Sequence, residues 1–211
     1  DGKSDLAAAN RNSANVSVLL NATTPVNRTL KVNLNASGSG DGSSWDNAFT
    51  NLESALAAAN SGDEIWVAKG TYKPGDTRED SFQLKDGVSI YGGFAATETT
   101  LEQRDIEDNV TILSGSIGDE NNIQDNSYTV VKLSIGTATL DGFTIQDGFS
   151  NQNAVNEIDD NNQDDINNNG GGVHNQGNLT LRNIVVKDNQ ANADGGGIRN
   201  GGTLTVESSV I

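Results

Sequence analysis

Two stretches of this chain repeat one another at a distance of 25 residues. GGGVHNQGNLTLRNIVVKDN begins at Gly170 and GGGIRNGGTLTVESSVI begins at Gly195. Superposed, they place Val173 on Ile198, Asn175 on Asn200, Gly177 on Gly202, Leu179 on Leu204, Leu181 on Val206 and Val186 on Ile211. TATLDGFTIQDG, starting at Thr137, fits the same frame once an insert within residues 149–169 is set aside, with Thr139 on Thr180 and Ile145 on Val186. A repeat of this length, written in strand-like alternation and free of helix, makes one coil of a parallel β-helix; successive coils stack about 4.8 Å apart through their backbones. Equivalent residues then form columns. The inward columns are Ala138/Leu179/Leu204, Leu140/Leu181/Val206, Phe143/Ile184/Ser209 and Ile145/Val186/Ile211. The outward ones include Thr139/Thr180/Thr205 and Asp141/Arg182/Glu207, the latter setting a cation between two anions.

Upstream, EIWVAKGTY, SFQL, VSIYGGF, TILSGSI and YTVVKLS read as strands separated by Gly, Asn and Asp. No helical pattern interleaves them, which excludes the βαβ classes. One helix is predicted, over Trp45–Asn60, because Trp45, Ala48, Phe49, Leu52, Ala55, Leu56 and Ala59 form an apolar stripe. Ser44 is its expected N-cap and Gly62 its expected stop. It would cover the apolar end and open strand edge of the first coil. Residues 1–30 form an N-terminal extension, flexible or strand-donating, with one β-capable stretch, VSVLL, at Val16–Leu20. Residues 31–211 are then the capped β-helix, expected to be truncated at its C-terminal end because the repeat stops in mid-coil at Ile211. The composition agrees with a thin repeat core: 34% of residues are hydrophobic and 5% aromatic, lean for a compact globule.

At these motifs the chain resembles a known group, the secreted bacterial right-handed parallel β-helix surface proteins with polymorphic outer-membrane-protein-type repeats. SGSGDGSSWDNAFTNLESALAAANSGDEIWVAKGTYKP with DGVSIYGGF is similar to their N-terminal cap and first coil, and the GGGVHN and GGGIRN turns to their repeats. IVVKDN stands where the polymorphic type often carries an FxxN element, which separates the chain from that adhesin branch. The resemblance implies a right-handed coil, secretion or surface display, and adhesive or matrix roles.

The net charge of -16 sets the class of partner. Such a surface repels nucleic acid, and nucleic-acid binding is excluded. Solubility accounts for the charge, and so does calcium, which carboxylate and amide oxygens bind well. In the insert DDNNQDDINNN, Asp160, Asn162 and Asp164 have the spacing of the first ligands of a calcium loop, with Asp165 beside them. Asp165 stands where an EF-hand requires glycine, and no glutamate closes the loop, so a looser calcium site is what the spacing allows. The acidic stretch Gly118–Ser127 carries the same ambiguity. No apolar run reaches transmembrane length.

Polysaccharide-cleaving enzymes also use parallel coils, so fold alone does not exclude catalysis. Their acid–base sets are missing here: Lys187, Arg182 and Arg199 are not grouped with carboxylates, and the only Asp-Asp pairs lie in the insert. His174, the one histidine, aligns with Arg199 and is expected outside, in solvent. Trp45, Trp66, Tyr72 and Tyr91 would stack sugars if exposed, but for most of them a core role is expected. No catalytic residue is assigned. The expected function is an extracellular structural or adhesive surface scaffold, self-assembling head to tail through residues 1–30 or contacting surface glycans and proteins. The alternative is a carbohydrate-binding or polysaccharide-cleaving β-helix.

Overall fold

The computed structural model describes residues 6–10, 15–19, 27–151, 170–192 and 195–211. They are mostly β, with parallel sheets and one α-helix. β1 (Leu6–Asn10) and β2 (Asn15–Leu19) form an antiparallel pair of their own, so VSVLL lies for the most part in a local hairpin strand. β3 (Thr29–Val32) opens the first parallel sheet, and α1 (Leu52–Ala58) follows. The chain then deals strands to three sheets in rotation: β4 (Glu64–Ala68), β5 (Gly70–Tyr72) and β6 (Phe82–Gln83), then β7 (Val88–Phe94), β8 (Thr111–Ser114) and β9 (Val131–Leu133). β10 (Thr137–Asp141) and β11 (Thr144–Gln146) continue the first two sheets, and β12 (Phe149–Ser150) starts a small fourth one. The rotation goes on through β13 (Val173–Asn175), β14 (Asn178–Arg182), β15 (Val185–Lys187), β16 (Gln190–Ala191), β17 (Ile198–Asn200) and β18 (Thr203–Glu207). The first sheet has the order β18-β14-β10-β7-β4-β3, the second β15-β11-β8-β5 and the third β17-β13-β9-β6, while β12 pairs with β16.

The register is the one the repeat predicts. Ala138, Leu179 and Leu204 face one another, as do Leu140, Leu181 and Val206, and Ile145 lies on Val186. Their alternation with Thr139, Thr180 and Thr205 points one face of each strand inward. Leu140, Leu181, Ile145, Ile65 and Ile90 are wholly buried in one continuous apolar core between the sheets. On the last strand, β18, the cover thins: Leu204 is half-buried and Val206 exposed. The outward charged column is rearranged. Arg182 Nε meets Glu207 at 2.6 Å, but Asp141 is buried and takes a different cation, Arg104, at 2.9 Å, with Asn183 Nδ2 donating to it at 2.8 Å.

The corners repeat as well. Gly142, Asn183 and Ser208 occupy equivalent places after β10, β14 and β18, and all three have left-handed backbones (φ 82, 50 and 49°). Only the first is glycine; Asn183 and Ser208 adopt the same turn at some conformational cost. At the corner before β14, Gly177 carries no side chain for a steric reason, since a Cβ there would lie 2.5 Å from the carbonyl oxygen of Gly136, which precedes β10 in the same way.

The helix is shorter than predicted: α1 spans Leu52–Ala58, not Trp45–Asn60. The backbone of Phe49 is committed to strand pairing, donating to Lys31 O and accepting from Asn33 N, so the helix cannot start before it. Asn51 rather than Ser44 is the cap, its Oδ1 accepting from Ser54 N at 2.8 Å. Ser44 Oγ instead accepts from Asn47 N within the preceding loop. The helix ends at Ala59, before Gly62, whose φ of 92° serves the turn into β4. Leu52, Ala55 and Leu56 are buried against β3, β4 and β6, which closes one end of the core. Arg28 fastens β3 beside it by donating from its backbone N (2.8 Å) and Nε (3.1 Å) to the Asp63 carboxylate. Burial alone would push the Asp63 pKa up, but Arg28 and the N–H groups of Asn60 and Arg28 hold it below the usual range.

Candidate functional site

A concavity of about 510 Å³ lies over the outer face of the second sheet. Its floor comes from residues that alternation turns away from the core: Thr71 on β5, Ser114 on β8 and Gln146 on β11. Asp147 and Asp188 stand at the next corner, both in left-handed backbone, as the residues following β11 and β15. The wall is the loop between β8 and β9, which contributes Ser116, Glu120, Asn121 and Asn126. The floor is ordered by its own hydrogen bonds: Ser114 Oγ and Gln146 Nε2 both donate to Asp147 Oδ2 at 2.8 Å. Amides, hydroxyls and carboxylates with one lysine, Lys73, make a surface suited to polar, hydroxyl-rich ligands. No aromatic side chain lines it.

The loop that forms the wall contains the acidic stretch Gly118–Ser127. Its two aspartates are turned to local structure, Asp119 Oδ1 accepting from Asn121 N and Asp125 Oδ2 from Asp119 N, each at 3.0 Å, while Glu120 lines the groove. Among the described residues, no group of three or more His, Asp and Glu side chains is placed to hold a metal ion. The candidate calcium ligands Asp160, Asn162, Asp164 and Asp165 lie outside the described residues.

The aromatics expected in the core region are packed, and the polar tips of Tyr72, Trp66 and Trp45 are satisfied. Tyr72 is buried and donates to Ala68 O at 2.9 Å. Trp66 is buried on the outer face of the first sheet, stacked on Phe94 at 4.8 Å between centroids, and donates to Glu64 Oε2. Trp45 donates to Glu98 O at 2.8 Å, and the Lys31 ammonium sits 5.7 and 5.4 Å from the rings of Trp45 and Trp66. Burial lowers the pKa of Lys31. Tyr91, partly exposed, lies under the Arg104 guanidinium at 5.4 Å. None of these rings offers a face to the groove.

The basic residues weighed as proton acceptors are dispersed. Arg182 is tied to Glu207, Lys187 is exposed 3.8 Å from Asp188, and Arg199 lies on β17. His174 overturns its expectation of solvent exposure: it is only 4% exposed. It points outward on β13, between Lys132 on β9 and Arg199 on β17, and its Nδ1 has no hydrogen-bond partner among the described residues. Burial, then the charges of Arg199 and Lys132, lower its pKa to about 4, so the imidazole is neutral near pH 7. The alignment with Arg199 was legible in the repeat; the third member, Lys132, lies on β9, whose phase relative to the repeat the inserts obscure. The groove was missed for a similar reason, since its wall is an insert that reads as an acidic loop until it folds against the second sheet. Comparison with family models, with curated proteins and with solved structures yields no match to this chain.

Proposed function

We propose that the chain is a right-handed parallel β-helix of the secreted bacterial surface type, acting as an extracellular structural or adhesive scaffold. The observation that carries this reading is the 25-residue register, Ala138–Leu179–Leu204 in the first sheet and Val173–Ile198 in the third, with strands dealt to the sheets in rotation. Such a body resists local opening because each coil is held by the next. The outward faces are largely polar, and no helix among the described residues is long and apolar enough to cross a membrane. Head-to-tail assembly through residues 1–30 belongs to the same proposal, by strand addition from the β1–β2 hairpin. So does calcium at Asp160–Asp165, for which calorimetry on chelator-treated protein and on an Asp→Asn variant of the insert is the measurement.

The test of the scaffold reading pairs adhesion with turnover. Beads carrying the chain should be retained under flow on polysaccharide- or matrix-protein-coated surfaces better than albumin-coated beads. Incubation with neutral and acidic polysaccharides, with and without calcium, should release no reducing ends. Sustained cleavage would overturn the scaffold in favour of the enzyme. The groove over the second sheet favours a second reading, carbohydrate binding without cleavage, because its lining offers donors and acceptors in the mixture that sugar hydroxyls require.

A further inference from the structure

We propose that the Lys132–His174–Arg199 column on the outer face of the third sheet is a binding site for the carboxylates of an acidic oligosaccharide. Three adjacent parallel strands, β9, β13 and β17, bring these residues into one register. Neighbouring side chains therefore stand about 4.8 Å apart along the stack. Gln83 continues the column on β6, and none of its four positions holds a carboxylate. A chain with 29 acids and 13 Lys and Arg residues thus sets two cations and its one histidine in a single row.

His174 is what separates this row from an ordinary basic surface. It is 96% buried between two half-exposed cations, and its Nδ1 lacks a partner among the described residues. Buried polar atoms nearly always have one, and an orphan calls for an explanation such as a water, an ion or a functional contact. A neutral imidazole protonated at Nδ1 donates one hydrogen bond to an oxyanion; the ammonium and guanidinium on either side supply charge-assisted ones. The overall negative charge does not prevent this, because exposed charges more than about 8 Å away are largely screened at physiological salt. It does select for short ligands over long polyanions. The inference needs only the column and is independent of the adhesive reading.

The single histidine makes the site directly observable, since its imidazole resonances need no assignment. The full chain is titrated by NMR with tetragalacturonate, with inorganic sulfate, and with maltotetraose as the neutral control. Tetragalacturonate should shift the His174 resonances saturably and raise the imidazole pKa from about 4, because a bound anion offsets the field of Arg199 and Lys132. Maltotetraose should not. Lys132→Gln and Arg199→Gln should each weaken binding about tenfold, and Arg199→Lys should retain most of it. The proposal is overturned if tetragalacturonate gives no saturable shift, if maltotetraose gives the same one, or if binding survives in the Lys132→Gln/Arg199→Gln double variant. Sulfate binding without tetragalacturonate binding would overturn the saccharide assignment.

Discussion

Asn175 on β13 donates from its Nδ2 to Oδ1 of Asn200, 25 residues later on β17, over 2.6 Å. The same Nδ2 reaches Thr203 O at 2.9 Å, and Oδ1 of Asn175 accepts from Gly177 N at 3.0 Å. One fully buried amide thus bonds the backbone of its own corner and the start of β18.

Asn175→Ala should therefore cost more than the loss of a contact. It leaves Gly177 N–H and Thr203 C=O, which bond the amide in part-buried positions, without their side-chain partner, at about 1–3 kcal/mol in all. Chemical denaturation should show a drop of that size. Asn200→Ala, at an exposed position, should cost well under half as much.

Leu181→Asp tests the inward columns. Leu181 is wholly buried between Leu140 and Val206, so an unpaired carboxylate there should abolish cooperative folding or cost more than about 4 kcal/mol. Arg182→Ala, one residue on and exposed, removes only the pair with Glu207 and should cost about 1 kcal/mol or less. Circular dichroism melts of the two variants give the comparison.

The alternation in β10, β14 and β18 and the 25-residue period were legible because adjacent parallel strands in register repeat their environment, so equivalent residues solve the same packing problem. Those strands and their register follow from letters such as Leu179 and Leu204 alone. The helix boundary was not legible. The apolar stripe from Trp45 to Ala59 has helical spacing throughout, but backbone pairing of Phe49 with Lys31 and Asn33 withdraws its first half from the helix. The groove was hidden for a related reason: its wall is an insert, and inserts fall outside the repeat. Nothing in the repeat marks the burial of His174, which aligns there with the half-exposed Arg199.

Glu53 on α1 gives a prediction with a definite sign. Its Oε1 is buried without a partner among the described residues, and burial, then the charge of Asp80, raises its pKa. A raised carboxylate pKa means that the folded state binds a proton more readily than the unfolded one, so stability is lost as pH rises through the folded value. Glu53→Gln should accordingly raise the melting temperature at pH 7. The gain should vanish below about pH 4, where both states carry the protonated acid. A gain that is constant across pH would assign the effect to packing instead.

His174 acts with the opposite sign. Its folded pKa, about 4, lies below the ordinary 6.5, so between those values the unfolded chain takes up a proton that the native imidazole refuses. Above pH 6.5 both forms are neutral and the residue contributes no pH dependence; as the pH falls toward 4, stability is lost at up to about 1.4 kcal/mol per unit. Between pH 6.5 and 5 the unfolded-state carboxylates remain ionised, so the Asp63 pair with Arg28, which fails only as pH falls through lower values, leaves this window undisturbed. His174→Gln keeps a polar side chain between Lys132 and Arg199 but removes the titration. Urea denaturation at pH 6.5 and at pH 5 should show a clear fall in stability for the native chain and a much smaller one for His174→Gln. Equal slopes in the two proteins would place the acid sensitivity elsewhere. Saturating tetragalacturonate should flatten the native slope as well, because an anion beside the imidazole restores its ability to take up the proton.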